Sequence, residues 1–351
     1  MSSGDGEFAP QFWMNDFPIY EDRMLPTYVG STTFLKRPLV QSGPELQDRR
    51  ADIAVVGAPF DDGASHRAGA RFGPRAIRLA SNITGDDYPS LQHDLLEPLS
   101  ILDVVDAGDA NIVPSWHERG HAMIYRKVRE VADAATVPVV LGGDHSISWP
   151  SVTAVAEAVW PLRLGVVHFD AHAGTVPSNW GQPVNLSGHG TPMRRLIESR
   201  AVRGENFVQV GLRGYWPPGS AFAWMKEQGM RWHFMTEVEE RGAEEVVSQA
   251  IGEALEGTDV IYLSMDIDVV EPGVAPGTGT PEPGGLSGRE ILRAVRQIAK
   301  AVRVVGMDVV EVSPPYDNAE VTATLANRVV MEAIASMAAR RASGEVVGLE
   351  R

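Results

Sequence analysis

From residue 52 onward, short apolar runs alternate with longer amphipathic segments along the chain. Runs such as VPVVLGG and LGVVHFDAH are apolar almost throughout, which is typical of strands buried on both faces. The alternation indicates βαβ units and predicts an α/β fold, with three α/β/α layers around a mostly parallel central sheet. The predicted strands are Ile53–Gly57, Ile101–Asp106, Pro138–Leu141, Gly165–Asp170, Phe207–Leu212, Val260–Met265 and Val302–Asp308. The predicted helices are Pro74–Ser81, Glu118–Ala135, Trp149–Val159, Pro192–Ser199, Ser220–Gln228, Ala243–Glu256, Gly288–Ala301 and Glu320–Ala342.

Residues 1–50 lack this regular pattern, because proline, glycine and aromatic residues are scattered there without a sustained period. We expect an N-terminal arm over 1–50 that makes surface or oligomer contacts. No linker-like segment interrupts the later pattern, so residues 51–351 are predicted to form one domain.

The composition excludes several classes of function. The 351 residues include no cysteine, which rules out a disulfide framework, a thiolate metal site and a cysteine nucleophile. Lys and Arg number 31 against 46 Asp and Glu, a net charge of −15, so we expect no nucleic-acid partner. No apolar run of about 18–20 residues is present and no signal-peptide pattern opens the chain, so we expect no membrane segment and a cytoplasmic location.

Polar clusters follow four of the predicted strands at the point where each strand ends. GGDHS follows Val139–Leu141, DAH follows Val166–Phe169, MDID closes Ile261–Ser264, and EVSPP follows Val309–Val310. The carboxyl ends of parallel strands meet at one edge of a sheet, where ligands of such folds bind. The sequence therefore predicts one polar site built from four strands.

The side chains in three of these clusters are of the types that bind metal ions. The candidate ligands are His145, Asp170, His172, Asp266 and Asp268. An isolated Asp-x-Asp or Asp-x-His after a strand is usually a turn or a cap, but burying five such groups together is costly without a partner. The i, i+2 spacing within each pair puts both side chains on one face of a strand. Imidazole and carboxylate suit first-row divalent metals, and a carboxylate can bridge two ions.

The motifs GGDHS, VHFDAH, SMDIDVVEPGVAPGTGTPEPGGLS and GMDVVEVSPP together resemble those of the ureohydrolases, the arginase and agmatinase relatives. The segments GAPFDDGASHRAGARFGPRAIR (57–78) and SGHGTPMRRL (187–196) are similar to the agmatinase branch. The resemblance implies an arginase-like α/β/α fold and a trimer or hexamer. It also implies two manganese or nickel ions, and hydrolysis of a small cationic guanidino compound to urea and an amine by metal-bound hydroxide.

The resemblance also implies a role for each candidate residue. His145 is expected to bind the first metal, Asp170 and Asp266 to bridge both metals, and His172 and Asp268 to bind the second. Glu311 is expected to accept the guanidinium in a charge-assisted hydrogen bond, His189 to shuttle a proton to the leaving amine, and Thr280 to lie near the guanidinium.

Two further positions bear on the substrate. Trp180 lies in the segment TVPSNWGQPVNL (175–186), where it either stacks on a cation or planar biguanide or packs at a subunit contact. Val176 stands where arginases usually carry asparagine, which disfavours arginine itself. We therefore expect a substrate of the agmatine, guanidinobutyrate, guanidine or biguanide type.

One position departs from the family motif Asp-Ala-His-x-Asp. The chain reads Asp170-Ala171-His172-Ala173-Gly174, so the last carboxylate, a ligand of the first metal, is missing. We expect a weak or empty first site, because even an outer-shell loss typically costs about 10–100-fold in affinity or activity.

Three explanations of Gly174 stay open. The site works with one tight and one weak ion, or another donor such as Thr175 or Asp144 fills the gap. Otherwise the chain is an impaired subunit that supports an active paralogue in a hetero-oligomer, as in complexes similar to the metformin hydrolases.

Overall fold

The computed structural model describes residues 28–81, 88–177 and 187–349. The strands are β1 (Ile53–Ala58), β2 (Val104–Asp109), β3 (Val137–Gly142), β4 (Leu164–Phe169), β5 (Phe207–Leu212), β6 (Arg231–Phe234), β7 (Val260–Asp266) and β8 (Val304–Val310). The helices are α1 (Gly43–Arg49), α2 (Gly73–Leu79), α3 (Pro98–Ile101), α4 (His117–Asp133), α5 (Ser148–Val159), α6 (Pro192–Glu198), α7 (Gly219–Glu227), α8 (Met235–Arg241), α9 (Ala243–Leu255), α10 (Gly288–Ala301) and α11 (Val321–Ala342). Within the described ranges, no helix combines the length and apolar character that crossing a bilayer requires.

The strands form a single parallel sheet in the order β2-β1-β3-β8-β7-β4-β5-β6. Helices α2, α9, α10 and α11 pack on one face, and α4, α5, α6 and α7 pack on the other. The structure thus confirms the predicted three-layer α/β/α fold. Strand β7 shows why polar and apolar residues do not alternate along it. Ile261 and Leu263 face one helical layer, Val260 and Tyr262 face the other, and all four are buried.

The sequence-based prediction differs from the structure mainly at the sheet edges. Edge strand β6 was not predicted, because its sequence RWHF contains two basic residues and lacks a continuous apolar run. The predicted strand at Ile101 is wrong in its start, since Pro98–Ile101 form a helical turn and β2 begins at Val104. The short helices α1, α3 and α8 were also missed.

The four strands that carry the polar clusters are neighbours at the centre of the sheet. Their order is β3-β8-β7-β4, although the segments that follow β3 and β8 are more than 150 residues apart in sequence. The polar side chains that follow these strands therefore meet at one edge, as the sequence predicted.

The described part of the N-terminal segment packs against the sheet. Phe34 and Leu35 are buried in the main core, and Leu46 of α1 is buried against β1 and β2. Asp106, in the middle of β2, accepts a hydrogen bond from the Phe34 backbone N–H at 2.7 Å. The boundary at residue 50 remains a prediction, and residues 1–27 lie outside the described ranges.

Asp106 also forms a bidentate ion pair with Arg78 of α2, at 2.8 and 2.9 Å, with both side chains buried. We expect Asp106→Asn to lower the free energy of unfolding by about 3 kcal/mol, because it leaves the buried guanidinium without its main counter-charge. Urea denaturation measures the effect. The control is Asp103→Asn, which removes a half-exposed pair with Arg49 and is expected to cost less than about 1 kcal/mol. Equal losses in both variants would contradict the prediction.

Candidate metal centre

A cavity of about 400 Å³, the central cavity, opens at the carboxyl ends of the four central strands. Its walls contain the predicted residues His145, Asp170, His172, His189, Asp266, Thr280 and Glu311. Asp268 lies directly behind, in contact with His172. Trp180 lies outside the described residues. The structure thus brings together every predicted site residue that it describes.

The first cluster consists of His145, Asp170 and Asp266. The Nδ1 atom of His145 lies 2.8 Å from Asp266 Oδ2 and 3.0 Å from Asp170 Oδ2. All three side chains are almost completely buried. Two carboxylate oxygens therefore approach the same imidazole nitrogen beneath the cavity floor.

The second cluster consists of Asp170, His172 and Asp268. His172 Nδ1 lies 2.9 Å from Asp268 Oδ2 and 3.5 Å from Asp170 Oδ1. The i, i+2 spacing also produces local turns, since the His172 N–H donates to Asp170 Oδ1 at 2.6 Å and the Asp268 N–H donates to Asp266 Oδ1 at 2.8 Å. Asp170 belongs to both clusters, which is the position of a bridging ligand.

These donor atoms fit divalent cations. Metal–ligand bonds of about 2.0–2.2 Å at right angles place neighbouring ligand atoms about 3 Å apart, close to the spacings observed here.

Burial, together with the charges of Asp268 and Asp170, raises the pKa of Asp266 well above its usual range. Burial also opposes ionisation of Asp170, but contacts with His145 and its neighbours hold the pKa of that carboxyl well below its usual range. Cations bound between the carboxylates would relieve this crowding of like charges.

A buried polar chain fixes which nitrogen of His145 faces the cavity. Ser264 Oγ donates to Asp308 Oδ1 at 2.8 Å, and the Tyr262 hydroxyl donates to Asp308 Oδ2 at 3.0 Å. Ser264 Oγ therefore accepts from His145 Nε2 at 3.2 Å, so the ring proton sits on Nε2. His145 Nδ1 therefore faces the carboxylates, on the side where it would ligate a metal ion.

The sequence analysis missed His168, which is fully buried on β4 two residues before Asp170. The same i, i+2 rule applied to Asp170 and His172 places it on the face of Asp170. Its Nε2 lies 3.0 Å from Asp170 Oδ2, without hydrogen-bond alignment. Gln209 Nε2 lies 2.7 Å from His168 Nδ1 and donates to it, so the His168 proton sits on Nε2. His168 thus presents a proton, rather than a lone pair, to the first cluster.

Gly174 has a structural role in this chain. Its φ is +61°, and its carbonyl accepts from the backbone N–H groups of Met193 and Arg194 at 3.1 and 3.3 Å, at the start of α6. A Cβ atom at this position would lie 2.9 Å from Met193 Cγ. The backbone is therefore arranged for glycine, with helix α6 anchored on the segment where the family motif carries a ligand.

The two proposed substitutes for the missing carboxylate differ in their surroundings. Asp144 is engaged elsewhere, because its oxygens accept from the backbone N–H groups of Ser146 at 2.9 Å and Gly63 at 2.8 Å. Burial and the nearby charge of Glu311 raise the pKa of Asp144 to about 6. Thr175 is fully buried and its hydroxyl has no hydrogen-bond partner among the described residues.

Glu311 and His189 form a hydrogen-bonded pair on the wall of the central cavity. Glu311 Oε1 accepts from the His145 backbone N–H at 2.7 Å and from His189 Nδ1 at 3.0 Å, while His189 Nε2 lies 2.6 Å from Ser65 Oγ. Burial lowers the pKa of His189, but the charge of Glu311, its hydrogen bond and the charge of Asp144 together outweigh burial, and the net shift is upward. Glu311 has a φ of +62°, a conformation that costs about 1–3 kcal/mol and clusters at functional sites.

Two more residues complete the cavity wall. Thr280 Oγ1 donates to Asp268 Oδ2 at 3.3 Å, which ties the predicted substrate residue to the second cluster. Trp216, in a loop after β5, lies on the cavity rim with 43% of its surface exposed. The sequence alone does not decide whether the segment LRGYW (212–216), which contains Trp216, covers the site or contacts a neighbouring subunit.

Comparisons with known proteins show what this chain is similar to. The profile of the Arginase family matches residues 51–336. Proclavaminate amidinohydrolase of Streptomyces clavuligerus is 36% identical over 89% of this chain and 95% of its own length. Its solved structure superposes with a TM-score of 0.79, covering 90% of this chain and 99% of that one. Guanidinopropionase of Pseudomonas aeruginosa is 36% identical over 92% of this chain and 97% of its own. The manganese-containing structure of Trypanosoma cruzi formiminoglutamase is 26% identical, with a TM-score of 0.74 over 85% of this chain and 98% of that one.

The role of Gly174 can be tested by stability. We expect Gly174→Ala to lower the free energy of unfolding by about 1–2 kcal/mol, because a Cβ atom is unfavourable at this φ and crowds Met193. The matched control is Gly190→Ala, where an added Cβ comes no closer than 3.7 Å to Val176 Cγ2. Chemical denaturation of both variants provides the measurement. If Gly174→Ala loses no more unfolding free energy than Gly190→Ala, the structural role of Gly174 is contradicted.

Proposed function

Because the chain belongs to the arginase family and is therefore a hydrolase of carbon–nitrogen bonds, we propose that it converts a small guanidino compound to urea and an amine. The observation that carries the proposal is the sharing of Asp170 by two clusters of ligand-type side chains, beside the Glu311–His189 pair in one cavity. Agmatine, guanidinobutyrate, guanidine and biguanides are the candidate substrates.

The two clusters are proposed to hold two divalent ions, manganese or nickel. His145, Asp170 and Asp266 would hold the first ion, and Asp170, Asp266, His172 and Asp268 the second. The manganese-containing formiminoglutamase structure supports this assignment by analogy. When bound, such ions supply Lewis acidity and lower the pKa of a coordinated water. The first ion is proposed to bind more weakly, because Gly174 offers no side chain and His168 presents a proton.

The protein side chains orient the substrate and move the proton. Glu311 accepts guanidinium N–H groups in charge-assisted hydrogen bonds and holds the guanidino carbon above the clusters. His189 shares a proton with Glu311 and passes it to the departing amine, which leaves as a neutral molecule. Thr280, hydrogen-bonded to Asp268, borders the guanidinium.

A second candidate function is that of a supporting subunit for an active paralogue. The observation that favours it is the backbone at Gly174, which is arranged for helix anchoring instead of metal binding. A trimer or hexamer, formed either by copies of this chain or with the paralogue, is proposed for both functions. A cytoplasmic setting is also proposed, with no membrane or nucleic-acid partner.

The proposed reaction is tested by urea release from the purified chain, loaded with manganese or nickel, over the candidate guanidino compounds. His189→Asn is expected to lower kcat by at least about 100-fold, since a positioned acid is lost, while leaving metal content unchanged. His66→Asn, an exposed histidine in the neighbouring loop, serves as the control. Turnover that appears only after a paralogue is added would establish the supporting-subunit function instead.

Metal stoichiometry tests the proposed weakness of the first site. We expect one tight manganese ion and one weaker ion per chain by calorimetric titration and elemental analysis. Gly174→Asp is expected to raise occupancy of the weaker site by restoring a carboxylate, despite a loss of folding stability. Gly174→Asn has nearly the same shape without the charge and is expected to give no increase. Two tight ions in both the unmodified chain and Gly174→Asp would refute the weak first site.

A further inference from the structure

In the described part of the chain, no lysine or arginine lines the outer part of the central cavity. Beyond the two clusters, the Glu311–His189 pair and Thr280, the described wall is formed by Val176, Trp216, Thr191, Ser65 and glycines. The part of a substrate that extends past the guanidino group therefore meets apolar and neutral surface.

Arg213 is close to the cavity rim in sequence but directs its guanidinium into the protein. It donates to the backbone carbonyls of Glu282 at 2.6 Å, Asp268 at 2.7 Å and Val269 at 3.2 Å. Turning it toward a substrate would leave those carbonyl groups without their donors, which is unfavourable for buried groups.

Arg67 is held in a similar way on the other side. Its Nε donates to the Gly279 carbonyl at 3.1 Å, and one terminal nitrogen donates to the Thr278 carbonyl at 3.3 Å. Its guanidinium also lies 4.6 Å from the centre of the Tyr316 ring. Arg67 thus braces the loop that carries Thr280 and gives no counter-charge to the cavity.

The histidines on the wall are engaged as well. Both nitrogens of His189 face partners, Glu311 and Ser65, and His172 Nδ1 faces Asp268. Among the described residues of the cavity wall, no lysine or arginine is therefore left to pair with an anionic substituent.

We propose that the substituent attached to the substrate's guanidino group carries no negative charge. The cavity selects a guanidine whose substituent is neutral and largely apolar. The selection is made by Val176, which is almost completely buried, and by Trp216 at the rim. This inference rests on the proposed function and narrows its substrate class. It separates this chain from its relative guanidinopropionase, whose name denotes a guanidino acid.

Three compounds of similar size test the proposal: 4-guanidinobutanoate, its neutral amide and butylguanidine. Urea release and calorimetric binding are measured for each on the metal-loaded full chain. We expect the amide and butylguanidine to exceed the carboxylate at least about 10-fold in kcat/KM and in affinity, since a carboxylate would be desolvated there without a partner.

A charge-introducing variant provides the matched comparison. Trp216→Arg puts a cation on the cavity rim, and we expect it to shift selectivity toward 4-guanidinobutanoate by about 10-fold relative to the amide. Tyr215→Arg adds the same charge at the adjacent, fully exposed residue, which does not line the cavity, and is expected to leave the selectivity unchanged.

The outcomes separate this inference from the proposed function. Carboxylate binding or turnover equal to that of the amide overturns the inference and leaves the hydrolase function standing. Tighter binding of the neutral compounds without any urea release supports the inference and overturns autonomous hydrolysis. Failure of all three compounds to bind overturns the inference, and urea release from agmatine, guanidine or a biguanide then decides the proposed function.

Discussion

The site depends on the position of one carboxylate, Asp170, between two groups of potential metal ligands. Its Oδ2 atom lies 3.0 Å from His145, and its Oδ1 atom lies within reach of His172. The three buried carboxylates of these groups, Asp170, Asp266 and Asp268, would repel one another strongly if all were charged, so the geometry is stable only with histidines, protons or cations between them. The parallel sheet makes this crowding possible, because it brings four chain segments to one edge.

The sequence predicted the layers of the fold and the residues of the cavity floor, because both follow from simple periodicities. Buried parallel strands read as continuous apolar runs, and i, i+2 pairs such as Asp170 and His172 lie on one face. It did not predict β6, whose RWHF sequence lacks an apolar run. Nor did it predict His168, because a histidine inside an apolar strand gives no sign of its partner Gln209, which lies on a different strand.

The position of Gly174 shows where a motif and a structure give different information. The motif reports only that a ligand is missing. The structure adds that the carbonyl of this residue anchors α6 and that its φ of +61° suits glycine. The glycine at position 174 therefore suits both the local backbone and the packing of Met193. A carboxylate introduced there would have to fit the same backbone, so the substitution alone does not restore the arrangement of the family motif.

The chain of hydrogen bonds from Tyr262 through Asp308 and Ser264 to His145 lies within the sheet itself. The surfaces that would contact a substrate substituent, by contrast, come from loops at Val176 and Trp216. Reactivity and selectivity are thus encoded in different layers of the molecule. Under the proposed function, changes in these loops would alter the substrate while the interior network preserves the orientation of His145.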